Sequence, residues 1–200
     1  KKPWKGYMIH DKIINMLKEK IIIHVGHGKT GTSFLQSFLA LNREKLLKLG
    51  IDYPQDPSFP DAKKGNITSG NGLVLLEKFI GLEKISHQEN LLFSNENFYH
   101  DLLGKKKNEF MKFSDVYGSR IRIILYTRNL FSQIFSTWAQ TVKRSLQVND
   151  LNYFLYNFKH FYHKGILDWI DHTKKFGMEL IIRNYSKNKS NLLNCFLEDC

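Results

Sequence analysis

Two hundred residues suffice for one domain with its own core and not clearly for two. A hydrophobic share of 42% with 14% aromatics is ordinary for a folded soluble protein, and no 18-residue apolar run suggests a membrane span. The formal net charge of +11 suits nucleic acid, acidic glycans, anionic lipid or a highly phosphorylated ligand. The lysines are scattered, however, so a merely solvated basic surface fits equally well. Cys195 and Cys200 are too few and too close to the end for a disulfide framework. Nothing resembles a signal peptide, and because the chain begins with Lys1 that absence carries no weight.

In chain order, residues 1–19 are basic, and Ile13, Ile14, Met16 and Leu17 suggest a short N-terminal helical extension. Ile21-Ile22-Ile23-His24-Val25 is a strand, followed by Gly26, Gly28 and Gly31 within six positions. Phe34, Leu35, Phe38 and Leu39 then recur at helical spacing, and Leu46 and Leu47 extend that helix or a second one to Gly50. Segment 51–72, rich in Pro, Asp, Gly, Asn and Ser, is expected to hold no regular element and to wall a substrate pocket. Asn71 to Gly81 reads as helix, with Leu73, Leu75, Leu76 and Phe79 on its apolar side. Leu91 to Ser94 is a short buried strand leading into Asn95-Glu96-Asn97 and another helical stretch.

Ile121 to Tyr126 is the third strand and ends in Thr127-Arg128-Asn129. Leu130, Phe131, Ile134, Phe135, Trp138 and Val142 then predict a helix whose apolar face meets the core. Helical segments over 150–157 and 161–176, a strand over Glu179–Ile182 and a helix from about Ser190 complete the chain. Alternating strands and helices predict an α/β domain with a P-loop-like parallel sheet flanked by helices on both faces.

The stretch from His27 to Ser33 has the make-up of a phosphate loop. Gly28 and Gly31 let backbone N–H groups turn onto an anion, and the following helix adds the positive end of its dipole. Lys29 supplies a full charge, Thr30, Thr32 and Ser33 supply hydroxyls, and His27 is within reach of a ligand. Gly28-Lys29-Thr30 imitates the end of a Walker A loop, but the glycine that motif needs would fall at Ile23, inside the strand. In a parallel sheet, ligands bind at the carboxyl ends of the strands. Lys29, Glu96 and Arg128 each follow such an end and are expected to converge on one crevice. Arg128 can grip a second phosphate with two parallel hydrogen bonds, with Ser136 eight residues on and Ser132 on the same helical face.

Lys29-Thr30-Gly31-Thr32-Ser33 after a strand, together with Arg128…Ser136, resembles the two cofactor motifs of sulfotransferases that use 3′-phosphoadenosine 5′-phosphosulfate (PAPS). The likeness spans roughly 20–200, is nearest to carbohydrate-modifying and bacterial members, and implies a sulfotransferase fold. It implies that the loop binds the 5′-phosphosulfate, that Arg128 and Ser136 bind the 3′-phosphate, and that Phe34 and Tyr185 contact adenine. Spaced helically with Phe38, Phe34 equally fits a core position. Ser94-Asn95-Glu96 resembles the family's Ser-x-Glu, which makes Glu96 the base and Lys29 the group that stabilises the departing phosphate; His27 and His100 are the next candidate bases. His24, inside the strand, reads as a core residue.

The resemblance further implies a glycan or glycolipid acceptor with a hydroxyl or amine, no metal requirement, no nucleic-acid partner, and a cytoplasmic or membrane-peripheral location. Relatives carry another basic segment closing over the 3′-phosphate, expected beyond Cys200 or replaced by another part of the chain. No acceptor pattern is recognisable, although Lys143, Arg144, Tyr153, Phe154, Tyr156 and Phe158 could line a sugar cleft. Two other readings compete: a nucleotide kinase using ATP and Mg²⁺, disfavoured because Ser94 and Thr127 stand where a Walker B Asp would, and a non-catalytic basic module for nucleic acid or acidic polysaccharide.

Overall fold

A computed structural model describes residues 20–77, 79, 82, 85, 86, 88, 90–145, 150–157 and 162–200. The helix expected within 1–19, the end of the helix expected up to Gly81, and Phe158 lie outside the described residues, as does the side chain of Arg144.

Five parallel strands form one sheet in the order β2-β3-β1-β4-β5. They are β1 (Lys20–Gly26), β2 (Ile51–Asp52), β3 (Asn90–Asn95), β4 (Ile121–Thr127) and β5 (Glu179–Asn184). The β-branched run of β1 takes the centre, pairing Ile21–Val25 with Leu91–Asn95 on one side and with Ile121–Leu125 on the other. A strand covered on both faces is apolar over most of its length, which is why β1 reads as a run interrupted only by His24 rather than an alternation.

Strand alternation divides the interior into two cores. On one face Ile21, Ile23, Val25, Phe93 and Leu125 pack with Phe110 and Phe113 of α6 (Lys107–Tyr117) and Trp169 of α9 (Tyr162–Lys175). On the other, Ile22, Leu92, Ile124 and Tyr126 pack with Leu35 and Leu39 of α1 (Thr32–Leu41) and with Leu192 and Phe196 of α11 (Leu192–Asp199). Helices therefore cover both faces of an all-parallel sheet, an architecture compatible with a P-loop-like fold. The remaining helices among the described residues are α2 (Arg43–Lys48), α3 (Phe59–Lys63), α4 (Gly72–Glu77), α5 (Phe98–Asp101), α7 (Leu130–Ser145), α8 (Leu151–Asn157) and α10 (Tyr185–Asn188). Among the described residues no helix is long and apolar enough to cross a membrane.

Two expectations are corrected. Segment 51–72 does hold regular elements: Ile51 and Asp52 add an edge strand to β3, and α3 starts at Phe59 with Pro60 in its first turn. A two-residue strand shows no period, and its partner β3 rather than its own sequence makes it a strand. Arg43 locks it by donating to Asp52 at 2.7 Å. The second correction concerns α7. Its aromatic face is not in the core: Phe131 is 79% exposed and Phe135 57%, whereas Gln133 is 1% exposed.

Candidate functional site

The carboxyl ends of β1, β3 and β4 meet at one place. Gly26 closes β1, and a Cβ there would lie 2.6 Å from Thr32 Oγ1 and 3.1 Å from Glu96 Cα. Its lack of a side chain is what lets the end of β3 come against the loop and the first residue of α1.

The loop is held from beneath. Thr30 Oγ1 donates to the His27 carbonyl at 2.6 Å, Gln133 Nε2 donates to that of Gly28 at 3.3 Å, and Arg128 Nη1 donates to that of Lys29 at 3.0 Å. Because a trans peptide points its N–H opposite its carbonyl, the N–H groups of Gly28, Lys29 and Thr30 are turned away from these donors. Lys29 and Gly31 have φ of 68° and 78°. For Gly31 this is nearly free, and a Cβ there would lie 2.5 Å from Leu192 Cδ2. For Lys29 it costs of order 1–2 kcal/mol, which the three bonds below the loop offset. The result is a backbone concavity at the N-terminus of α1, suited to an anion.

Arg128 belongs to this assembly as well as to β4. Its guanidinium lies 5.6 Å from the centroid of the Tyr185 ring, and its Nε is buried with no hydrogen-bond partner. It can therefore steady the loop and still has a donor for a ligand after a small side-chain shift. Tyr185 begins α10 and shares with Gly31, Phe34 and residues 189–194, the short 3₁₀ turn and the start of α11, a cavity of about 410 Å³. Phe34 is 56% exposed, so it is a wall residue and not core.

A second cavity of about 400 Å³ opens over the loop itself. Gly28, Lys29, Gly31, Thr32, Ser33 and Phe34 form one side; Glu96, Asn97 and His100 form another; Thr137 and Gln140 of α7 and Ile67 close it. Glu96 is half-buried one residue beyond β3, in a turn fixed by the Asn97 N–H donating to Asn95 Oδ1 at 2.7 Å. Asn71 clips the preceding segment to β3, donating to the Leu92 carbonyl at 3.0 Å and to that of Pro54 at 3.1 Å, and accepting from the Ser94 N–H at 2.8 Å. Of the segment 51–72, Ile67 lines this cavity.

Other expected residues fall elsewhere. The ring of His27 is fully buried, edge-on to Tyr99 at 4.7 Å, and is not among the cavity-lining groups. Thr30 is buried and contributes to the loop's shape. Thr32 Oγ1 is buried with no hydrogen-bond partner. Ser136 is half-buried; the α7 residues on the cavity are Thr137 and Gln140. Lys143, Tyr153, Phe154 and Tyr156 do not line it, and Tyr153 and Tyr156 stand exposed on α8. His24 is a core residue, its Nδ1 2.9 Å from Ser94 Oγ, and burial pushes its pKa down to about 3. Among the described residues no group of three His, Cys, Asp or Glu is placed to hold a metal ion.

Sequence reasoning missed Gln133, Thr137 and Gln140. Their signal was present: they recur at i, i+4 and i+7, one polar stripe opposite the aromatics of α7. Thr137 Oγ1 donates to the Gln133 carbonyl at 2.9 Å, so the stripe runs continuously from the loop out along the cavity. Comparison with protein-family models and with curated proteins gives no match for this chain, so the arrangement of its own residues carries the functional reading.

Proposed function

We propose that this chain is a sulfotransferase that moves the sulfuryl group of PAPS onto a hydroxyl of a glycan or glycolipid. The observation that carries the reading is Arg128. It bonds the Lys29 carbonyl and lies over the Tyr185 ring, so an arginine suited to a second phosphate stands beside a loop suited to the first. An ATP-binding loop needs no such partner on the adenosine side, whereas a nucleotide phosphorylated at both 3′ and 5′ positions does. In this reading the loop takes the 5′-phosphate, Phe34 and Tyr185 flank the adenine in the cavity they share, and Arg128, beside Tyr185, takes the 3′-phosphate together with Ser136, although neither Arg128 nor Ser136 lines that cavity.

In the reaction, the acceptor oxygen attacks sulfur and the bond from sulfur to the bridging phosphate oxygen breaks. The electron pair leaves on adenosine 3′,5′-bisphosphate, where Lys29 offsets the growing charge. The proton of the acceptor hydroxyl passes to the Glu96 carboxylate, which opens on the same cavity as Lys29.

The test is a thermal-shift and titration comparison of adenosine 3′,5′-bisphosphate, adenosine 5′-monophosphate and ATP with Mg²⁺. At a hundredfold excess over its dissociation constant the bisphosphate should stabilise the fold by about 2.7 kcal/mol. Arg128→Ala should weaken the bisphosphate far more than the monophosphate. Stabilisation by ATP with Mg²⁺ but not by the bisphosphate would sink the reading in favour of a kinase.

A further inference from the structure

The cavity that holds Lys29 and Glu96 has a far side that the two cofactor motifs do not use, and its chemistry is specific. It consists of Asn97 and His100 on the β3 side and Thr137 and Gln140 on α7, with Ile67 at the rim. Lys29 is the one lysine or arginine among the described residues lining the cavity, although the chain as a whole carries a net charge of +11. Ile67 is itself exposed, so among the described residues the wall has no enclosed apolar panel.

From this composition, and resting on the sulfotransferase reading above, we infer that the acceptor is an uncharged polyhydroxylated molecule, a neutral sugar or the neutral sugar head of a glycolipid, and not an acidic glycan or a phenol. Amide, imidazole and hydroxyl groups can each donate to or accept from neighbouring sugar hydroxyls. An acidic glycan would bring its carboxylates or sulfates beside Glu96, and Lys29 is already matched by the phosphate of the donor. Among the described residues no second lysine or arginine, which such an acceptor needs, lines this wall. A flat apolar phenol would bury the same amides without partners, and sites built to bond hydroxyls reject analogues that lack them. Among the described residues the excess basic charge therefore lies outside the acceptor cavity and does not report acceptor chemistry.

The α7 stripe explains how this wall arises. Gln133 reaches under the loop, Thr137 bonds back to it, and Gln140 continues the same helical face into the cavity. One polar face thus steadies the anion loop at its start and meets the acceptor at its end.

The experiment is sulfuryl transfer from radiolabelled PAPS by the purified chain to three acceptors: a neutral oligosaccharide, a uronic-acid polysaccharide and 4-nitrophenol. Bisphosphate affinity is measured in parallel. The neutral acceptor should show at least a tenfold higher kcat/KM than either competitor. Gln140→Ala and Asn97→Ala should raise its KM about tenfold while leaving bisphosphate affinity within twofold. A preference for the polyuronate or the phenol with normal bisphosphate binding overturns this inference and leaves the sulfotransferase reading standing. Unchanged KM in both variants also overturns it. Failure to bind the bisphosphate removes the reading and the inference together.

Discussion

Helices α1 and α7 leave the same edge of the sheet, one after β1 and the other after β4, and both are amphipathic. They face the interior in opposite senses. Helix α1 buries Leu35, Leu39 and Ala40 against the sheet, as an amphipathic pattern ordinarily does. Helix α7 turns Gln133, Thr137 and Gln140 toward the loop and cavity and leaves Phe131 and Phe135 in solvent. The difference lies in what each helix covers. The body of α1 lies over a finished apolar sheet, whereas α7 lies over a loop with carbonyls to satisfy and a cavity lined by polar groups. Burying the aromatic face there would leave the Gly28 carbonyl without its donor, and an unpaired buried carbonyl costs about 1–3 kcal/mol.

That contrast can be broken from either side, and the largest effect is expected on α1. Leu35→Ala empties a fully buried position in the second core and should lower unfolding free energy by about 2–5 kcal/mol in urea titrations. A loss under 1 kcal/mol would mean that α1 is not packed as described.

The same side of the sheet holds His24, edge-on to Tyr126 and Phe196. Burial lowers its pKa from 6.5 to about 3, so between those values the unfolded chain takes up a proton that the folded chain refuses. Stability present above pH 6.5 is therefore lost as pH falls toward 3, by up to about 1.4 kcal/mol per pH unit from this residue. His172, lowered to about 4 mainly by burial, acts in the same direction. Urea titrations at pH 7.5 and 5.5 should show a shallower pH dependence for His24→Gln than for the natural chain; equal slopes would place His24 in water.

On α7, Gln133→Ala removes the donor to the Gly28 carbonyl. It should cost about 1–3 kcal/mol in stability and also weaken adenosine 3′,5′-bisphosphate binding, because the loop loses one of its three supports. Stability lost with unchanged bisphosphate affinity would make Gln133 a packing residue with no part in shaping the loop.

The smallest effect is expected from the aromatic face. Phe135→Ser should change stability by no more than about 0.5 kcal/mol, the usual range for exposed positions. A loss above 2 kcal/mol would show that this face is covered in solution, and the contrast between the two helices would disappear.

The sequence by itself determined the parts of this protein that local chemistry dictates. A short β-branched run such as Ile21–Val25, interrupted only by His24 and ended by glycines, favours a strand buried on both faces, and the glycines after it allow a tight backbone path at its carboxyl end. Parallel topology then brings Lys29, Glu96 and Arg128 to one edge, whatever the side chains do afterwards. Tertiary structure alone decided the rest. A periodic pattern says that a helix has two unlike faces, but which face lies inward depends on what it is laid against, and for α7 that is the polar underside of the loop. The same dependence makes Ile51–Asp52 a strand only beside β3, leaves Phe34 on a cavity wall, and turns the His27 ring in against Tyr99. It also gives Arg128 the Lys29 carbonyl as a partner ninety-nine residues away, a contact that no local pattern could encode.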